Sequence, residues 1–181
     1  MIIDMSHSGE QSTLETIELS QRPIVISHAN PLSFHSIPRN KSETVLKALS
    51  ESGGLLGFSL FPMHLKDGAR CTLDSFCEMV ARTAEFMGVE HLGIGSDLCQ
   101  SQPRSVMQWM GKGRWMKDIS IVENRNKAFQ WPESVSWFQD NRDFANIAQG
   151  LLKQGFHDQE VANIMGLNWL RVLQSGLQPE G

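Results

Sequence analysis

Tyrosine is absent from this 181-residue chain, and cysteine is scarce: Cys71, Cys77 and Cys99 form an odd set with neither a CxxC pair nor Cys/His finger spacing. That excludes a disulfide framework and a structural zinc finger, and reduced, mostly buried thiols are expected. No apolar run approaches the roughly 18 residues that a membrane span needs, and the N-terminus lacks the basic segment and small-residue cleavage site of a secretory signal. A cytoplasmic protein without membrane contact is therefore expected. Positive charge is not in surplus either, since 16 Lys and Arg against 20 Asp and Glu give a formal net charge of −4. A phosphate backbone calls for a clustered basic face, so a nucleic-acid partner is not expected. Gly93 and Gly95 are followed by neither a third glycine in fingerprint spacing nor a Gly-Lys-Ser/Thr, which removes the dinucleotide and P-loop readings.

What the chain does contain is ordinary globular composition, 40% hydrophobic and 20% charged, consistent with one domain over residues 1–181. Four apolar runs stop at, or near, a residue able to bind a metal or move a proton: residues 2–5 before His7, 23–27 before His28, 54–61 before His64, and 91–96 before Asp97. Strands that all deliver polar groups at their C-terminal ends are how a (β/α) barrel gathers an active site on one rim. Residues 24–26 are β-branched without polar alternation, as suits a parallel strand covered on both faces. Between the runs lie helical stretches at 10–20, at 43–50 with Asn40 and Glu43 as the N-terminal pairing, and at 73–87 with Gly88 as the stop. Further helices are expected at 138–153 and 158–173. The pattern is an α/β chain, a partial TIM-like (β/α) barrel of about four βα units plus C-terminal helices. Residues 99–137, with four of the five Trp, read as an irregular excursion over the rim, and the tail 178–181 as frayed.

His7 and His28, on adjacent strand ends, are within reach of one ion, and neutral imidazole is a common zinc ligand. Asp97 follows Gly93-Ile94-Gly95-Ser96, where glycine permits close approach of neighbouring backbone and lets the carboxylate point inward. Beside a metal-bound water such a carboxylate accepts a proton and passes it to a leaving amine.

Five blocks, Asp4-Met5-Ser6-His7, Pro23-Ile24-Val25-Ile26-Ser27-His28, Pro38-Arg39-Asn40, Gly93-Ile94-Gly95-Ser96-Asp97 and Gly166-Leu167-Asn168-Trp169-Leu170-Arg171-Val172, together resemble the C-terminal half of the membrane (renal) dipeptidases. These are zinc peptidases of family M19 in the amidohydrolase superfamily. The resemblance implies that His7 and His28 bind the second of two zinc ions, that Arg39 binds the terminal carboxylate of a dipeptide, and that Asp97 is the acid/base residue. A guanidinium fork matches a carboxylate bidentately, which suits Arg39 to that task.

Two departures from the family pattern stand out. The chain reads Asp97-Leu98-Cys99-Gln100 where the family commonly continues Asp-Phe-Asp-Gly, and no His-x-Asp, the family's pair for the first zinc, occurs anywhere. The expectation is thus a truncated dipeptidase-like chain with impaired or absent hydrolysis and at most one weakly held zinc. Two other readings stand beside it: a noncatalytic half barrel that assembles with itself or a partner chain, and another amidohydrolase activity such as N-acyl amino acid deacylation. Open edges on the first and fourth strands lead to the expectation of a homo-oligomer.

Overall fold

The computed structural model describes residues 1–103, 105–106 and 132–177. Most of the 99–137 excursion and the 178–181 tail therefore lie outside the described residues.

The chain alternates helix and strand: α1 (Glu10–Leu19), β1 (Val25–Ala29), α2 (Glu43–Glu51), β2 (Leu55–Phe58), α3 (Leu73–Met87) and β3 (Leu92–Ile94). After the excursion come α4 (Phe144–Lys153), α5 (Asp158–Ala162) and α6 (Asn168–Leu177), the last two joined by a π-turn at Asn163–Leu167 with a kink at Gly166. The strands are parallel in the order β1-β2-β3, with Val25 opposite Leu55 and Leu56 opposite Leu92. The strand expected at residues 2–5 is shorter than its composition suggests. It makes one parallel bridge, Asp4 to Val25, with Met5 N donating to Val25 O (2.8 Å) and Val25 N to Ile3 O (2.9 Å). The reason is Asp4, whose carboxylate accepts from Ser27 N (3.0 Å), the next backbone donor of the ladder, as well as from Ser6 N (3.0 Å). Four parallel strand positions in sequence order are thus present, with helical crossovers between them, the connection that parallel neighbours need.

Both faces of the sheet are covered. Ile26, Leu56, Phe58 and Leu92 meet Val45, Leu46 and Leu49 of α2 and Phe76 and Val80 of α3, all fully buried; each such side chain contributes about 1.5–3 kcal/mol of transfer free energy. The opposite face carries Val25 and Leu55 against Val172 and Trp169 of α6. It is lined by Gly57, Gly93 and the following Gly95 because larger residues do not fit. A Cβ on Gly93 would lie 2.6 Å from Trp169 Nε1, and one on Gly57 or Gly95 would collide with the carbonyl oxygen of Ser27. The sheet curls so tightly that the end of β1 leans over the residues after β3.

Caps explain the helix boundaries. Thr72 accepts from Ser75 N and Gly88, at φ 83°, ends α3 as expected. For α2 the cap is Ser42, accepting from Val45 N, and not Asn40. Asn40 is instead buried, its Nδ2 donating to His35 O (2.8 Å) and His64 O (3.1 Å) while its Oδ1 accepts from Asn30 N (3.2 Å). The fourth strand's edge is not bare. Leu92 O accepts from Asn168 Nδ2 (2.8 Å) and Ile94 O from Trp169 Nε1 (3.1 Å). Trp137, at the return of the excursion, donates to Cys71 O (2.8 Å) and stacks near Phe76. Cys71 and Cys77 are buried free thiols pushed up to about 11 and about 12 by that burial, and Cys99 is a partly buried free thiol. Among the described residues no helix is long and apolar enough to cross a membrane.

Candidate metal centre

The rim at the C-terminal ends of the strands brings three of the four expected site residues into contact. His7 sits in the turn after Asp4, and His28 near the end of β1. Their Nε2 atoms are 2.9 Å apart, with ring centroids separated by 5.0 Å. Arg39 arrives from the loop before α2. Its Nη2 lies 3.3 Å from His7 Nε2 and donates to His28 O (2.8 Å), and its Nη1 donates to Ser6 O. Arg39 Nε is buried with no hydrogen-bond partner among the described residues, which leaves a donor unsatisfied at a cost of about 1–3 kcal/mol.

Asp97 stands apart. It is exposed, at φ 54°, and makes no hydrogen bond among the described residues. It lines a small cleft with Phe61, Pro62, Leu98 and Phe138. Its charge nevertheless reaches the cluster, working against the burial that holds His7 and His28 below the ordinary histidine range and Arg39 below the usual guanidinium range. Arg39 adds to the depression at both histidines. The imidazoles are therefore neutral at pH 7, the form that ligates metal.

Beneath these residues lies a polar layer to which the sequence reading assigned no role. Asp4 Oδ1 accepts from Ser6 N (3.0 Å), Ser6 Oγ (2.6 Å) and Ser27 N (3.0 Å), and Oδ2 from Ser27 Oγ (2.5 Å). Burial alone would raise the Asp4 carboxyl, but these hydrogen bonds from Ser27 and Ser6 outweigh it and hold it below the usual carboxylate range. Buried Lys41 donates to Met5 O (3.0 Å) and Ser8 O (2.6 Å), the carbonyls flanking His7, and burial pulls its ammonium down to about 8. The one sequence signal for this layer was Asp4 itself, a charge inside an apolar strand.

The pair of histidines fits one side of a metal site. In the metal-free protein the 2.9 Å contact between the two Nε2 atoms holds one hydrogen, whose place a metal ion would take. An ion held at about 2.0–2.1 Å from each nitrogen needs the pair to open by only a few tenths of an ångström. Among the described residues no group of three His, Cys, Asp or Glu converges as a full ligand set.

The sequence profile of the membrane dipeptidases, peptidase family M19, matches residues 1–110. The chain belongs to this family. Among relatives, dipeptidase tcpJ of Claviceps purpurea is 25% identical over 175 residues, 96% of this chain and 34% of that protein. Dipeptidase verJ of Clonostachys rogersoniana is 27% identical over 97% of this chain and 37% of its own length. The chain thus spans little more than a third of these M19 relatives. An amidohydrolase structure from Pseudomonas aeruginosa superposes with a TM-score of 0.81 at 29% identity, over 97% of this chain and 52% of that one. A Rhodobacter sphaeroides metallo peptidase liganded with a phosphinate mimic of L-Ala-D-Ala shares the fold at TM-score 0.72 and 18% identity, covering 95% of this chain and 41% of that one. These superpositions establish the partial α/β barrel.

Proposed function

We propose that this chain supplies one half of a zinc-dependent dipeptide-hydrolysing centre. The observation that carries the reading is the pair of neutral imidazoles whose Nε2 atoms face each other at 2.9 Å on adjacent strand ends. His7 and His28 would hold the metal through those nitrogens, and a zinc ion bound there would supply a Lewis acid and a water of lowered pKa. Arg39 receives the terminal carboxylate of the dipeptide, a task that the guanidinium fork suits. Asp97 takes the proton of the attacking water and returns it to the nitrogen of the leaving amine. Catalytic zinc sites use three protein ligands, so the remaining ligands come from outside the described residues.

Titrating zinc into the metal-free protein is expected to show weak binding that His28→Ala abolishes and that persists in Asp97→Asn. Equal binding by the parent and a His7→Ala/His28→Ala double variant would overturn the assignment. Turnover of dipeptides by the 181-residue chain alone is expected to be at the limit of detection.

A second reading, a noncatalytic half barrel that assembles with a copy of itself, is supported by the parallel sheet of three strands and one bridged segment among the described residues, which does not close on itself. Light scattering at micromolar concentration tests it. A mass twice the 20.3 kDa chain supports assembly, and a single-chain mass unchanged on dilution refutes it.

A further inference from the structure

Neither Asp4 nor Ser27 is itself a candidate metal ligand, yet Ser27 touches His28 and Asp4 touches Ser27. The argument is an accounting of protons. An ionised carboxylate only accepts, so the hydroxyl proton of Ser6 is spent on Asp4 Oδ1 at 2.6 Å and that of Ser27 on Asp4 Oδ2 at 2.5 Å. Ser6 Oγ in turn accepts from His28 N at 3.1 Å. Ser27 Oγ also lies 2.7 Å from His28 Nδ1. With the serine proton already committed to Asp4, the only hydrogen left for that contact is on His28 Nδ1, and the 2.9 Å contact between the two Nε2 atoms takes its hydrogen from His7.

We propose that Asp4 and Ser27 are positioning residues that lock neutral His28 in the Nδ1–H tautomer and so leave Nε2 as its metal-binding nitrogen. The carboxylate acts through the serine hydroxyl, a one-residue extension of the carboxylate–histidine pairing that orients metal-bound imidazoles in general. The same hydrogen bonds set the ring's rotation, since Nδ1 is tied to Ser27 while the His28 backbone is tied to Ser6. The metal-binding clause rests on the functional reading above; the tautomer does not.

The test reads the tautomer first, in the metal-free protein. Long-range 15N–1H correlation of the imidazoles at pH 7.5 is expected to show His28 Nδ1 protonated and Nε2 bare in the parent. Asp4→Asn frees the Ser27 proton to turn toward Nδ1, so it should move His28 to the Nε2–H form. Ser27→Ala, which leaves three of the four Asp4 hydrogen bonds in place, removes the acceptor and should give a mixture. Zinc affinity, measured by calorimetry with zinc alone, should fall about 10- to 100-fold in Ser27→Ala with the thermal midpoint nearly unchanged. A parent His28 protonated on Nε2, or a tautomer indifferent to both variants, overturns the proposal. A parent with the expected tautomer that binds no zinc overturns the functional reading instead.

Discussion

Replacing Gly95 by alanine is expected to destroy the rim. A Cβ at that position would land on the carbonyl oxygen of Ser27, with the Ser27 carbonyl carbon at 2.8 Å and His28 Cα at 3.3 Å. All three are backbone atoms, so no rotamer change relieves the overlap, and either β1 or the segment before Asp97 has to move. Overpacking typically costs about 1–3 kcal/mol, and a backbone target puts this case at or beyond the upper end. Against a total stability of about 5–15 kcal/mol, the variant should lose a large part of its urea midpoint and all zinc binding at His28. Gly9→Ala is the control, because nothing lies within 4 Å of its would-be Cβ, and losing glycine at the cap of α1 costs less than ~1 kcal/mol. Similar denaturation curves for the two variants would refute the close approach.

The second large effect is with pH. His64 is buried beneath the rim, its Nδ1 2.8 Å from Ser59 Oγ and its ring against Phe61. Burial pushes it down to about 3, with the positive charge of Arg39 adding to the effect. The unfolded chain binds this proton near pH 6.5 and the folded chain does not, so the contribution to stability is fully present above pH 6.5 and is lost as pH falls from there toward 3. Each pH unit in that window costs about 1.4 kcal/mol, or roughly 2 kcal/mol by pH 5. His7 and His28, also depressed, act with the same sign. Urea midpoints of the parent should therefore fall between pH 7 and 5, where carboxylates do not yet titrate. His64→Gln should be less stable at pH 7 but show a visibly flatter profile. An identical slope in the variant would show that His64 is not the residue responsible.

The residues that announced themselves in the sequence were those with a local rule behind them. Gly88 past a 3.6-residue stripe marks the end of α3, and Gly95 next to Asp97 signalled close backbone approach, which the Ser27 carbonyl makes. His7, His28 and Arg39 were legible because each follows an apolar run or sits in a recognisable block, and they do converge. Asp97 lies near enough to be felt electrostatically, while its bonded contact with the cluster is not made among the described residues. What stayed hidden depends on partners distant in sequence. Asn40 looked like a helix cap because its Asx chemistry suits one, but its tertiary partners Asn30 and His64 claim it and Ser42 takes the cap. Lys41 carries no local signal of its role and is a buried clamp. Nothing local distinguishes Asn168 and Trp169 from ordinary helix residues, since the carbonyls they meet are more than 70 positions away.

Those two side chains change what it means for another strand to join this sheet. Leu92 O and Ile94 O already have donors, so an arriving strand would not gain two hydrogen bonds on a vacant ladder; it would have to evict an amide and an indole first. Joining becomes an exchange, nearly balanced in hydrogen-bond number, whose net free energy rests on what the start of α6 finds to pack against once displaced. Trp169 leaving Gly57 and Gly93 uncovers the glycine-lined face, so growth of the sheet and loss of its helix cover are one event. Edge pairing, the hazard of an exposed parallel strand, thereby carries a cost that needs neither a proline nor a charge on the strand itself.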